Sequence, residues 1–354
     1  MDSMFANAKL PPNRELLRVL DAATSRLRHR ILKAGLNGPA MDPVYRDRFY
    51  ASKLRGLNSA SGLRNSCYHL AWSLAAIRKP LQQIVFVDHG GGLGFNGLLA
   101  KEAGVGIVIY NDIDPKFLDG ARNLARHVGL ESDHYVLGDI DVLKKEMKAR
   151  ALLADALVSY DVLEHIYDNE SFLTSLPQLL GKTGSVFMSS SANLFNAYIV
   201  ANIMLTKHIP AVREYAIKRR VIIQDAGSKL TNAEVERLVR ASRLLVRSQI
   251  QSMVEMYLKT GRITNRRPPG MNGFDPFRTN VVDPESGWWQ EHFLNPFELA
   301  RVLSSTGFRV RVMPGYYGSK GAFLNPFVRF LGCRLGLFLG QFYSIYGINT
   351  RDVT

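Results

Sequence analysis

The stretch Ile84-Val85-Phe86-Val87-Asp88-His89-Gly90-Gly91-Gly92-Leu93-Gly94-Phe95-Asn96-Gly97 constrains this chain more than any other. An apolar, β-branched run ends in an acid, a glycine turn follows at once, and a helical pattern begins. Glycines allow a tight turn and let a ligand approach backbone amides with no side chain between. A strand feeding such a turn belongs to a sheet built of strand–turn–helix units. Segments 83–88, 106–111, 134–137, 155–160 and 184–189 are strand-like, with helical patterns between them. That alternation predicts an α/β fold with a mostly parallel sheet covered by helices on both faces.

Outside the alternation the texture changes. Residues 13–36 read as an amphipathic helix, with Leu16, Leu20, Ala23, Leu27, Ile31 and Ala34 three or four apart. Between 191 and 290 the alternation stops: 194–206 is apolar, 213–259 is Arg-rich and helical in pattern, and 264–287 is rich in Pro, Gly and Asn. It resumes at Asn295-Pro296-Phe297-Glu298, a cap, a first-turn proline and an early acid that start a helix. A strand at 308–313, an apolar helix at 326–339 and a last strand at 342–348 follow. The chain is therefore read as a helical N-terminal segment (1–80), a binding core (81–190), a basic helical cap (191–290) and a C-terminal part of the core (291–354).

Composition removes several classes. Hydrophobic residues at 46% and charged residues at 21% exclude a disordered chain. Two cysteines, Cys67 and Cys333, exclude a disulfide scaffold, and no Cys/His cluster has zinc spacing, so no metal is expected. Arg14, Glu15, Arg18 and Asp21 interrupt the start, which does not read as a signal peptide. No run of about 20 uncharged apolar residues suits a spanning helix, so a cytoplasmic protein is expected, with peripheral attachment to a membrane left open. The net charge of +14 is concentrated: residues 1–80 and 207–267 each hold 14 Lys/Arg against 5 Asp/Glu. Such segments suit an anionic membrane surface, an anionic substrate or nucleic acid, or are the solvated faces of Arg-rich helices.

Two ligand classes use a glycine loop of this kind. Gly92-x-Gly94-x-x-Gly97 satisfies the dinucleotide fingerprint, which alone carries little weight. Asp88-x-Gly90-x-Gly92-x-Gly94 satisfies another, with an acid at the strand end just before the first glycine. A carboxylate there repels a pyrophosphate and suits a ligand that carries an ammonium and a sulfonium. Charge logic selects S-adenosyl-L-methionine.

On these residues and further motifs the chain resembles the class I S-adenosylmethionine-dependent methyltransferases, especially the small-molecule branch that includes the ubiquinone-biosynthesis enzymes. The resemblance covers about 81–192 and 288–315. It implies a Rossmann-like sheet of seven strands with the last antiparallel, a helical N-terminal segment and a large helical insertion after strand five. It also implies that the amides around Asp88, Gly90, Gly92 and Gly94 hold the methionine moiety. In Tyr110-Asn111-Asp112-Ile113-Asp114-Pro115, Asp112 matches the acid that binds both ribose hydroxyls, with Ile113 beside it and Asp114 the choice if the register slips. Gly138-Asp139-Ile140 matches the adenine contact. Ser159-Tyr160-Asp161-Val162-Leu163-Glu164-His165-Ile166 matches the end of strand four, with Tyr160 at the cofactor and a Glu-His pair at the transferring methyl. Leu179-Leu180-Gly181-Lys182-Thr183-Gly184 and Leu299-Ala300-x-x-Leu303-x-x-x-Gly307-Phe308 resemble the turn before strand five and the helix before strand six. Thr183 and His89 depart from the pattern, standing where a glycine and a small residue are usual.

At the Glu-His pair, the imidazole of His165 could take a proton from a hydroxyl, with Glu164 beside it; the alternative is that the pair caps and orients the next helix. Under the resemblance, the cap and the apolar helix at 326–339 leave the sheet at its carboxyl edge, which points to a small-molecule acceptor of anionic or lipid-linked character, methylated on oxygen. Two rivals remain: an NAD(P)-dependent oxidoreductase, and a non-catalytic module that uses the fold to bind a membrane or partner. Asp161-Val162-Leu163-Glu164 stands where base-methylating enzymes carry Asn/Asp-Pro-Pro-Tyr, which argues against nucleic acid.

Overall fold

In the computed structural model, which describes residues 13–57, 63–263, 281–285, 287–315, 324, 327–328 and 330–351, the alternating segments form one sheet. Its strands are β1 (Val85–His89), β2 (Ile107–Asp112), β3 (His134–Leu137), β4 (Ala154–Tyr160), β5 (Leu180–Ser190), β6 (Phe308–Gly315) and β7 (Phe342–Asn349). The order is β3-β2-β1-β4-β5-β7-β6. β1 to β5 are parallel, while β7 runs antiparallel to both β5 and β6. β1 and β4 are adjacent in the sheet but not in sequence. Ligands of open α/β sheets bind in the crevice outside the carboxyl ends of strands at such a switch point. On the edge strand β6, Arg309 and Arg311 take the exposed alternate positions, and charged side chains there discourage pairing with another sheet.

The chain divides into two units. The first holds residues 1–163, 170–191 and 296–354, so the N-terminal helices belong with the sheet. These are α1 (Arg14–Ala34), α2 (Ala51–Leu57) and α3 (Arg64–Leu74), followed by α4 (Phe95–Glu102), α5 (Pro115–Val128), α6 (Ile140–Ala149) and α7 (Asn169–Leu179). α1 buries Leu17, Leu20, Ala23, Leu27 and Ile31, a stripe at helical spacing whose first member is Leu17 rather than the expected Leu16. Two of its arginines, Arg26 and Arg30, reach Glu102 at 2.5 and 3.0 Å. Helix Gly332–Leu339 covers the later part of the predicted apolar helix; positions 325, 326 and 329 lie outside the described residues.

The second unit holds residues 164–169 and 192–295. It contains α8 (Ala197–Ile203), α9 (Ile209–Ala226), α10 (Asn232–Ala241) and α11 (Arg247–Thr260). α9, α10 and α11 pack around Ile222, Leu238, Ile250 and Val254. Thr231 and Glu234 close a capping box at the start of α10. Arg219 is buried and donates to the carbonyls of Ser242, Arg243 and Val282. Most of the predicted loop 264–287 lies outside the described residues.

Candidate cofactor and active site

Asp88 ends the central strand with 1% of its surface exposed. Asn96 Nδ2 donates to its Oδ1 at 3.2 Å, and the Gly97 amide donates to its Oδ2 at 3.0 Å. The carboxylate thus clamps the first turn of α4 onto β1. Burial pushes its pKa up to about 6. Asp88, expected from the sequence to face a cationic ligand, also braces the loop that would hold it.

Gly90, Gly92 and Gly94 all have positive φ, at +62°, +55° and +76°. At Gly90 an added Cβ would collide with the side chain of Val162. Around Gly92 it would meet nothing within 4 Å, so this side of the loop is open. A loop face that carries no side chain lets a ligand tail approach the backbone closely.

Asp112 ends β2 with 6% exposed. The Gly92 amide donates to its Oδ2 at 2.9 Å and the Asp114 amide to its Oδ1 at 2.9 Å. Burial pushes its pKa up to about 6, against the lowering effect of those amides. Asp114 is engaged elsewhere: it caps α5 by accepting from the Lys116 amide at 2.8 Å, and the Tyr45 hydroxyl donates to its Oδ2 at 2.5 Å. Of the two registers, Asp112 is therefore the acid beside the glycine loop. Ile113 is exposed between them. Asp139 caps α6 by accepting from the amides of Asp141 and Val142 at 3.0 and 3.1 Å, and Ile140 opens that helix.

Two residues escaped the sequence reading. The Tyr110 hydroxyl donates to the Gly92 carbonyl at 2.6 Å, and Asn111 Nδ2 donates to the carbonyls of Val136 and Gly138 at 3.1 and 2.8 Å. The first fixes the loop, and the second holds the turn that leads to Asp139. Their signal was a hydrogen-bonding pair at the end of an apolar strand. The unusual His89 ties β1 to β4, with Nδ1 3.4 Å from Ser159 Oγ, and burial pushes its pKa down to about 4. It is a neutral core residue.

Tyr160 ends β4 half-buried; its hydroxyl accepts from Asn65 Nδ2 at 3.4 Å and its ring lies 4.6 Å from that of His69. Asp88, Gly90, Gly92, Gly94, Asp112, Ile113, Asp139, Ile140 and Tyr160 thus fall on the carboxyl-end turns of the first unit. Glu164 and His165 belong to the second. Glu164 is buried and its carbonyl accepts from the His292 amide at 3.2 Å. His165 Nδ1 lies 2.7 Å from the carbonyl oxygen of Trp289. A carbonyl only accepts, so Nδ1 carries a proton; in the neutral ring Nε2 keeps its lone pair. Among the described residues, no group of three or more His, Cys, Asp or Glu could hold a metal ion.

Residues 87–188 match the family described as methyltransferase domain. A search of curated protein sequences finds no match. Among solved structures, the carbon methyltransferase CurJ aligns at 14% identity over 94% of this chain and 68% of that one, with a TM-score of 0.43. An S-adenosylmethionine dependent methyltransferase from Mesorhizobium loti aligns at 16% identity over 79% and 97%, with a TM-score of 0.39. The family match spans the glycine loop and the acid-tipped strands of a sheet ordered β3-β2-β1-β4-β5-β7-β6, and the chain carries an S-adenosylmethionine-dependent methyltransferase domain of the class I, Rossmann-like fold.

Proposed function

We propose that the enzyme methylates an oxygen of a small-molecule acceptor that is anionic or lipid-linked, as in the ubiquinone-biosynthesis branch it resembles. The observation that carries oxygen as the target is the His165–Trp289 hydrogen bond, which puts a proton on Nδ1, so that in the neutral tautomer Nε2 is the acceptor. S-adenosylmethionine supplies an electrophilic methyl group and keeps the carbon–sulfur electron pair as a neutral thioether. Nε2 takes the hydroxyl proton as the oxygen lone pair forms its bond to the methyl carbon. The buried Glu164 positions that histidine through its carbonyl bond to His292, which fastens the segment to the chain that carries Trp289. Methyl transfer is an in-line displacement, so holding the reactants in line does most of the work.

On the cofactor side, the open loop at Gly90, Gly92 and Gly94 takes the methionine moiety, Asp112 and Ile113 the ribose, Asp139 and Ile140 the adenine. Tyr160 borders the methionine end. Support for an amphiphilic acceptor comes from Phe327, Phe330, Leu335 and Phe338, all exposed around helix Gly332–Leu339. No helix among the described residues is long and apolar enough to cross a membrane. The test is His165→Ala: S-adenosylhomocysteine affinity should stay unchanged while kcat falls by about 10²–10⁴. An undiminished rate at every pH removes His165 as a base. Parallel titration with NAD(P)H addresses the oxidoreductase rival.

A further inference from the structure

Lys53, on α2, sends its ammonium toward two aromatic faces. Nζ lies 5.6 Å from the centroid of the Phe95 ring and 5.8 Å from that of Tyr160. Phe95 opens α4 directly after the glycine loop, and Tyr160 ends β4. The cation therefore stands where β1 and β4 diverge. Asn65 and His69, both from α3, hold the Tyr160 ring and hydroxyl in place.

Lys53 is exposed to solvent, yet the protein around it lowers its pKa. Asp161 follows Tyr160 with φ +52° and acts on Lys53 only through space; its Oδ1 accepts from the Ser191 amide at 2.9 Å. Among the described residues no ion pair reaches Lys53. Four other cations of the N-terminal segment are committed: Arg26 and Arg30 to Glu102, Arg46 to Asp47, and Arg28 to the Leu57 carbonyl. Ordering and partly desolvating a lysine is costly without a partner. Aromatic walls favour the cation and leave its hydrogen-bond donors unused.

We propose that Lys53 is the cation of a carboxylate-binding subsite between the glycine loop and the end of β4. The proposal rests on the methyltransferase reading. Two carboxylates suit it: the one on the methionine tail of the cofactor, and one on an anionic acceptor.

Calorimetric titration of wild type, Lys53→Met and Lys53→Arg distinguishes them, using S-adenosylhomocysteine, 5′-methylthioadenosine (which lacks the carboxylate) and benzoate added to the S-adenosylhomocysteine complex. If the tail is the ligand, Lys53→Met weakens S-adenosylhomocysteine at least about tenfold, spares 5′-methylthioadenosine, and Lys53→Arg restores most of the loss. If the acceptor is the ligand, S-adenosylhomocysteine affinity is unchanged, and benzoate binding falls at least about tenfold in Lys53→Met but not in Lys53→Arg. A Lys53→Met protein that binds S-adenosylhomocysteine and benzoate as wild type does overturns the proposal. So does a loss shared by 5′-methylthioadenosine, which marks a general structural role. A wild-type protein that binds no S-adenosylhomocysteine overturns the methyltransferase reading instead.

Discussion

Asp112 meets two opposing demands, and pH exposes them. Burial raises its carboxyl from 3.8 to about 6 in the free protein. A carboxyl raised in this way stabilises the fold below its unfolded pKa, and that contribution is lost as pH rises through about 6. Under the proposed assignment ribose hydroxyls would donate to the ionised form, so cofactor binding would favour deprotonation. The affinity for S-adenosylhomocysteine should therefore climb with pH up to about 6 and level off above it, with proton release on binding in the rising part. Asp112→Asn should remove its share of that slope, leaving the part due to Asp88, which burial also raises to about 6. Calorimetry in buffers of different ionisation enthalpy measures both, and an affinity uniform from about pH 5 to 8 refutes the assignment. Asp112→Ala should cost about 1.5–3 kcal/mol of cofactor binding, whereas Asp114→Ala should act mainly through the lost cap and the Tyr45 bond.

At the scale of elements, the glycine loop gives a separation of fold from binding. Gly92 has φ +55° and open space around its missing side chain. Gly92→Ala should cost about 1–2 kcal/mol in backbone strain without a collision. Its methyl group would project into the space a ligand tail uses. We expect a small fall in Tm and at least about a tenfold loss of S-adenosylhomocysteine affinity; an alanine variant that binds normally argues that the ligand passes elsewhere. This loop was legible because its acid, its glycines and its strand are contiguous. The cores of the strands were legible for the same local reason, as β-branched runs. The early start of β5 at Leu180 and the extension of β6 to Gly315 were not, because pairing to β4 and β7 sets them. Lys53 was invisible too. Nothing local separates it from the other basic residues before position 81, and only the fold brings it to Phe95 and Tyr160.

Over the whole molecule, the positive charge counted from sequence is partly committed to internal work. Lys207 pairs with Glu291, Lys218 with Glu214 and Asp283, Arg220 with Glu236, and Arg247 with Glu285. Arg219 is buried on three carbonyls, of which those of Ser242 and Arg243 also accept from the Leu245 and Val282 amides; Arg219→Met would take the donor from the Val282 carbonyl at about 1–3 kcal/mol, and a fall in Tm should follow. These pairs leave the net charge of +14 unchanged, but fewer cations stay free for direct contact with an anionic membrane, each of which would be worth about 1 kcal/mol near the surface. Exposed apolar side chains would add a second, salt-independent contribution. Phe330 is 83% exposed, and Phe327, Leu335 and Phe338 are each more than half exposed. Burying one such side chain is worth about 1.5–3 kcal/mol. Vesicle flotation should then show binding to anionic liposomes that salt weakens without abolishing, since the Debye length falls from about 10 Å at 0.1 M to about 3 Å at 1 M while the apolar contacts persist. Phe330→Asp combined with Phe338→Asp should remove the salt-resistant part and leave S-adenosylhomocysteine affinity intact. Complete release by salt would assign attachment to charge alone. If a protein that binds S-adenosylhomocysteine fails to float with anionic vesicles at low salt, the exposed aromatic face does not serve a lipid surface.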